Sequence, residues 1–232
     1  MHAGPHEMAP AKNPLDPKLA ARYDDFIASR PPGADEDVHM LPDIVNHIIQ
    51  RCSHRGDVIL DPFAGYGTTL SRAIVQGRKA IGVEVLPERA KYLAQHIPEA
   101  HIVQGDARQL SDLVPTSVDL IITSPPYMTS NNHNANPFTG YQTDDGDYQR
   151  YLQELSTIAG HCARLLVPGG YLVCNVADIG YQGQTTQLIA DCARSFARYL
   201  PLAGITEISW DHYPHDLIRD ALLVFQRPVE KA

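Results

Sequence analysis

The sequence predicts an α/β fold: a mostly parallel sheet of seven strands, helices on both faces, and an antiparallel hairpin at one edge. Three observations carry this. From Asp57 onward, short apolar runs of strand type alternate with helical stretches, the pattern of a parallel sheet covered on both sides. A glycine-rich turn, Asp61-Pro62-Phe63-Ala64-Gly65-Tyr66-Gly67-Thr68-Thr69, follows the first of those runs and opens a helix. The last two apolar runs are joined by a connection too short for a helical crossover, so they should pair antiparallel.

The elements follow in order. Residues 1–15 carry Pro5, Pro10 and Pro14 with few large apolar groups and are expected as a mobile tail ahead of a single domain, 16–232. Asp16-Pro17 resembles an N-cap with proline at the first helical position, and Leu19, Tyr23, Phe26 and Ile27 share one helical face. Arg30-Pro31-Pro32-Gly33 ends that helix. Leu41-Pro42 opens another, with Ile44, Val45, Ile48 and Ile49 on its buried side. Strands are expected at 58–60, 80–83, 102–103, 118–122, 171–176, 205–210 and 221–225. Helices are expected at 68–76, 87–96, 148–166 and 185–199.

The 232 residues are 44% hydrophobic and 20% charged, an ordinary globular composition. Nineteen Lys and Arg against 27 Asp and Glu leave a net charge of −8, which excludes a bulk polycation that coats nucleic acid by charge alone. No apolar run reaches the roughly 20 residues needed to span a bilayer, and the first residues lack a secretory core. Cys52, Cys162, Cys174 and Cys192 form no Cys-x-x-Cys pair and read as reduced thiols of a cytoplasmic protein. Neither they nor the 11 histidines show metal-ligand spacing, so no metal is expected.

The chemistry concentrates at strand ends. Gly65 and Gly67 let backbone turn tightly against a ligand. Asp61 beside them would repel a diphosphate and suits an ammonium or sulfonium charge. Glu84 ends the second strand, where a carboxylate can accept both hydroxyls of a ribose. Asp106, in Gly105-Asp106-Ala107 after the third, could accept from an adenine amine. A bare turn and simple helix caps are the competing readings of these residues. Thr123-Ser124-Pro125-Pro126-Tyr127 follows the fourth strand, which in a doubly wound sheet lies beside the first, so it should face the glycine turn. Its prolines fix a rigid bend, its serine and carbonyls accept hydrogen bonds, and its tyrosine offers a flat face. That set suits a planar ring bearing an exocyclic amine.

Together these motifs resemble the S-adenosylmethionine-dependent amino-methyltransferases of DNA, which methylate N4 of cytosine or N6 of adenine; the likeness covers about residues 39 to 178. The resemblance implies a Rossmann-like methyltransferase sheet and S-adenosylmethionine as cofactor. It implies cofactor contacts from Leu41, Pro42, Asp61, Phe63, Ala64, Gly65, Gly67, Thr68, Thr69, Glu84, Val85, Asp106 and Ala107, and catalysis by Ser124, Pro125, Pro126 and Tyr127. Serine at the first motif position goes with cytosine N4 in that family. Adenine N6 in DNA, a base amine in RNA such as a tRNA guanine, and an inactive cofactor-binding subunit are the alternatives. DNA is the expected partner, and a homodimer or a companion restriction endonuclease fits the same resemblance.

Little is left over for recognizing the target. Residues 128–147 form the longest loop, a candidate substrate segment with Asn131 and Asn132 able to read base edges. Asn175 and Asp178, ending the fifth strand, are candidates for lining the pocket. His212, Tyr213 and His215, near the closing hairpin, could touch substrate, though they read more simply as surface.

Overall fold

A computed structural model describes residues 12–31, 34, 39–130 and 134–229. The strands are β1 Lys18–Ala21, β2 Val58–Asp61, β3 Lys79–Glu84, β4 His101–Gln104, β5 Val118–Thr123, β6 Leu166–Tyr181, β7 Gln184–Thr186, β8 Leu202–Trp210 and β9 Leu217–Gln226. The helices are α1 Tyr23–Ala28, α2 Pro42–Cys52, α3 Thr68–Val75, α4 Pro87–His96, α5 Leu110–Leu113, α6 Tyr148–Leu165 and α7 Leu188–Phe196. One sheet runs in the order β1-β8-β9-β6-β5-β2-β3-β4, with β7 paired to β6. Only β7 and β9 run antiparallel to their neighbours. No helix among the described residues is long and apolar enough to cross a membrane.

Alternation along the central strands places the core on both faces. Ile59, Leu120 and Ile122 point to the side carrying α2, α3 and α4, while Leu60, Val118 and Ile121 point to the side carrying α5, α6 and α7. Val45, Ile48 and Ile49 of α2 are fully buried, each stabilising by about 1.5–3 kcal/mol.

All seven expected strands are present, and two short ones add to them. The helix expected from Asp16-Pro17 is replaced by β1 and a six-residue α1. Leu19, placed on a helical face by its spacing, is in β1 opposite Ile208. The open backbone edge of β8 outcompetes the helical period: Glu207 N–H donates to Pro17 O at 3.0 Å and Lys18 pairs with Glu207. The tail expected over 1–15 is anchored at its end, because Asn13 donates to the Thr206 hydroxyl and Leu15 is buried. Residues 1–11 of that tail lie outside the described residues. The helix expected at 185–199 is shorter, since Gln184–Thr186 pair with β6 instead.

Candidate active site

β2 and β5 are adjacent and parallel, so the glycine turn and the Ser-Pro-Pro-Tyr motif leave the sheet side by side. Thr123 Oγ1 donates to Asp61 Oδ1 at 2.9 Å and ties the two strand ends together. Phe63 N–H donates to the same oxygen at 3.0 Å. Burial pushes the Asp61 carboxyl up to about 6, against the pull of hydrogen bonds from Thr69, Phe63 and Thr123.

Glu84 holds the turn from the other side. Its Oε2 accepts from Gly65 N–H and its Oε1 from Leu86 N–H, both at 2.9 Å. Burial raises its pKa, and those two backbone bonds oppose the rise. Gly65 has φ +51°, and the nearest atom to a side chain there would be 4.0 Å away, so its bare face opens into a cleft. Gly67, at φ +85°, is different: a Cβ there would stand 2.4 Å from Ile97 and 2.6 Å from Leu93.

Three adjoining cavities meet at Ser124. The first is lined by Phe63, Gly65, Glu84, Val85, Ala107, Pro126 and Phe138 among others. The second lies over the glycine turn, between Met40, Asp61, Ala64, Gly67, Thr68 and Thr69. The third is walled by Phe26, His39, Leu41, Tyr127, Trp210 and Asp220. Ser124 lines all three. Its Oγ lies 3.4 Å from the Tyr127 hydroxyl, which reaches the Asn175 carbonyl at 3.3 Å. The Pro126 and Tyr127 carbonyls accept from the Tyr151 and Tyr141 hydroxyls.

The other sequence candidates are placed unevenly. Asp106 itself is not among the residues lining the first cavity, although its neighbours Gly105 and Ala107 are: Arg108 grips its carboxylate at both oxygens and also bonds Glu154, and Asp106 caps a short turn. Leu41 faces the third cavity, and Pro42 begins α2 without lining any of the three; Met40 and His39 take their place over the glycine turn. Asn175 lines the third cavity, donating to Asp220 at 2.6 Å and to the Ala221 carbonyl at 3.2 Å. Asp178 is away from it, accepting from Ile189 N–H at the start of α7 and pairing with Arg219. Asn131 and Asn132 lie outside the described residues.

The loop at 128–147 brings residues that no motif signalled. Phe138 stacks against Phe63 with centroids 6.0 Å apart, closing the first cavity together with Tyr141. The third cavity takes its aromatic wall from distant segments. Phe26 of α1 stacks on His39 at 4.5 Å and meets Trp210 of β8 edge-on at 5.7 Å. His215, read as surface, also lines it.

A family model described as DNA methylase, N6_N4_Mtase, matches residues 42–95 and 118–211. The chain belongs to this N6/N4 DNA methylase family. Over 48 residues it is 48% identical to the DNA adenine methyltransferase YhdJ of Escherichia coli, a stretch covering 21% of this chain and 16% of that protein. Over 133 residues it is 30% identical to a 4-amino-L-phenylalanine/4-methylamino-L-phenylalanine methyltransferase of Streptomyces pristinaespiralis, covering 50% and 42%. The fold is similar to that of a TehB-like SAM-dependent methyltransferase from Corynebacterium glutamicum, with a TM-score of 0.54, 19% identity and coverage of 79% and 86%. The matched stretches span from 9% to 42% of the lengths of the curated relatives. The family match holds the glycine turn, Glu84 and Ser124–Tyr127. Phe26, His39 and Asp220 fall outside it.

Proposed function

We propose that the protein transfers a methyl group from S-adenosylmethionine to an exocyclic amine on a planar ring, with N4 of cytosine in DNA as the target. The observation that carries this reading is the position of Ser124, common to the cavities over the glycine turn and to the separate aromatic cavity. One side suits the cofactor and the other its acceptor, and they meet at one hydroxyl.

The residues of the first two cavities fit S-adenosylmethionine. Glu84 presents a carboxylate where ribose hydroxyls can donate, Phe63 and Phe138 offer ring faces, and the bare face of Gly65 leaves room. Asp61 sets a carboxyl close to where a positive charge would rest. When bound, the cofactor supplies an electrophilic methyl group. Ser124 Oγ and the Pro125 carbonyl would accept hydrogen bonds from the target amine. Acceptors on its protons localise the nitrogen lone pair, which is otherwise shared with the ring, and direct it toward the cofactor side. Holding the reacting atoms about 3–3.5 Å apart contributes several kcal/mol to the rate. Tyr127 lines the acceptor pocket, where a base drawn out of the duplex or taken from a single strand would enter.

A second reading has its own support. The acceptor cavity contains Asp216 and no Lys or Arg among its lining residues, and the chain carries −8. Such a mouth disfavours phosphate and favours a free aromatic amine, the substrate class named for the Streptomyces relative. Mass spectrometry separates the two. DNA nucleosides from cells making the protein, compared with cells making Ser124→Ala, should gain N4-methylcytosine with the native serine only. Unmodified DNA together with turnover of a free arylamine by the purified protein would replace the first reading by the second.

A further inference from the structure

The acceptor cavity holds one group that neither the methyl transfer nor the sequence motifs use. Asp220 of β9 is 6% exposed and lines the cavity with Ser124 and Tyr127. Its two oxygens are held apart by different neighbours. Oδ1 accepts from Asn175 Nδ2 at 2.6 Å, and Oδ2 accepts from Trp210 Nε1 at 2.8 Å. The Ala221 backbone N–H bonds the carboxyl as well, which leaves one further position for a hydrogen bond. The same Asn175 receives the Tyr127 hydroxyl on its carbonyl, so Asp220, Asn175, Tyr127 and Ser124 form one connected line along the cavity.

Hydrogen-bond complementarity says what such a carboxyl can recognise. In cytosine the ring nitrogen beside the amine carries no proton, and the same holds in adenine. In guanine the corresponding nitrogen carries one. A neutral carboxyl donates to the first kind of edge, whereas a carboxylate accepts from the second and repels the first. Building on the reading of Ser124 as the amine's acceptor, we propose that Asp220 is a specificity-determining residue: its protonated carboxyl donates to the bare ring nitrogen next to the target amine.

Burial of Asp220 makes that protonated form accessible close to neutral pH. Burial pushes its carboxyl up to about 6, with the Trp210 and Asn175 bonds pulling the other way. The groups facing it are Asn175 from β6, Trp210 from β8, Tyr127 from the β5 loop, His39 ahead of α2, and His215 and Asp216 from the β8–β9 connection. Arg219, its chain neighbour, pairs with Asp178.

The test compares two random-sequence oligonucleotide pools, one made with cytosine and one with 3-deazacytosine, in which C–H replaces the ring nitrogen. Native protein should prefer the cytosine pool by about tenfold or more in kcat/KM, the loss expected when a buried donor is left unpaired. That preference should decline as pH rises from 6 to 8, with the 3-deaza rate unaffected. Asp220→Leu should lower the cytosine rate by about tenfold and bring the ratio of the two pools close to one. Asp220→Asn, whose amide nitrogen can donate, should restore part of the ratio without its pH dependence. Equal native rates on the two pools, or a native-like ratio in Asp220→Leu, would overturn the role of Asp220 alone. If the variants do not fold, the native ratio and its pH profile decide by themselves. Native protein that binds S-adenosylmethionine but methylates neither pool overturns the cytosine reading, and this role with it.

Discussion

The Ser124 hydroxyl lies 3.4 Å from that of Tyr127, and the Tyr127 proton is directed at the Asn175 carbonyl, 3.3 Å away. With that proton committed, the tyrosine oxygen can only accept from Ser124. Ser124 then turns its own proton toward Tyr127 and its lone pairs toward the cavities. An acceptor is thereby oriented toward the amine protons without any charged base, as localising the nitrogen lone pair requires.

Ser124→Ala should lower kcat by about 10- to 100-fold while S-adenosylmethionine affinity stays within about twofold, as expected for one lost hydrogen bond at the reacting centre. Tyr127→Phe should cost less, about three- to tenfold, because the serine acceptor survives and loses only its orientation. Steady-state kinetics with calorimetric titration of the cofactor would check both.

Glu84→Gln places an amide N–H₂ opposite the Gly65 or Leu86 N–H. Two donors then face each other in a buried site. Cofactor affinity should fall by about tenfold or more, and the melting temperature should drop, since leaving a buried donor unpaired costs about 1–3 kcal/mol. Calorimetry and thermal denaturation of the variant give the two readouts.

Asp61 bears on stability through pH. Its folded pKa, about 6, lies above its ordinary value of 3.8, so the folded state binds the proton more tightly than the unfolded chain. The resulting stabilisation is full below about pH 4 and is lost as pH rises through 6. Asp61→Asn removes this dependence. Relative to native protein, the variant should therefore fare better at pH 7.5 than at pH 4.5, by about 2 kcal/mol. Urea unfolding at the two pH values measures the difference; equal offsets at both would contradict it.

Gly67→Ala combines a left-handed backbone with contacts of 2.4 and 2.6 Å to Ile97 and Leu93. The expected loss is about 2–4 kcal/mol, visible as a lower denaturant midpoint. Gly65→Ala meets open space instead, so its strain is smaller and its effect should fall on cofactor affinity.

Much of this was legible before any coordinates. The glycine turn and Ser124-Pro125-Pro126-Tyr127 are contiguous, and strand order alone brings them together, so local pattern sufficed. Asp106 shows where local pattern stops: its position after β4 is legible, but its pairing with Arg108, which also bonds Glu154, involves α6, which the chain reaches more than 40 residues later. Phe26, Trp210 and Asp220 carried no signal, because an aromatic or an acid at those places has the same local pattern whether it packs or lines a cavity. The N-terminal helix was misread because periodicity cannot register an unpaired edge elsewhere in the sheet.

That edge has a practical meaning for anyone dissecting the chain. The family region begins at residue 42, and a version that starts there and keeps the C-terminal strands would retain the turn, Glu84 and Ser124. It would also strip β1 from β8 and Phe26 from the aromatic wall. What remained would be a donor half with a breached receiver, and a nine-residue strand left bare for other chains to adopt.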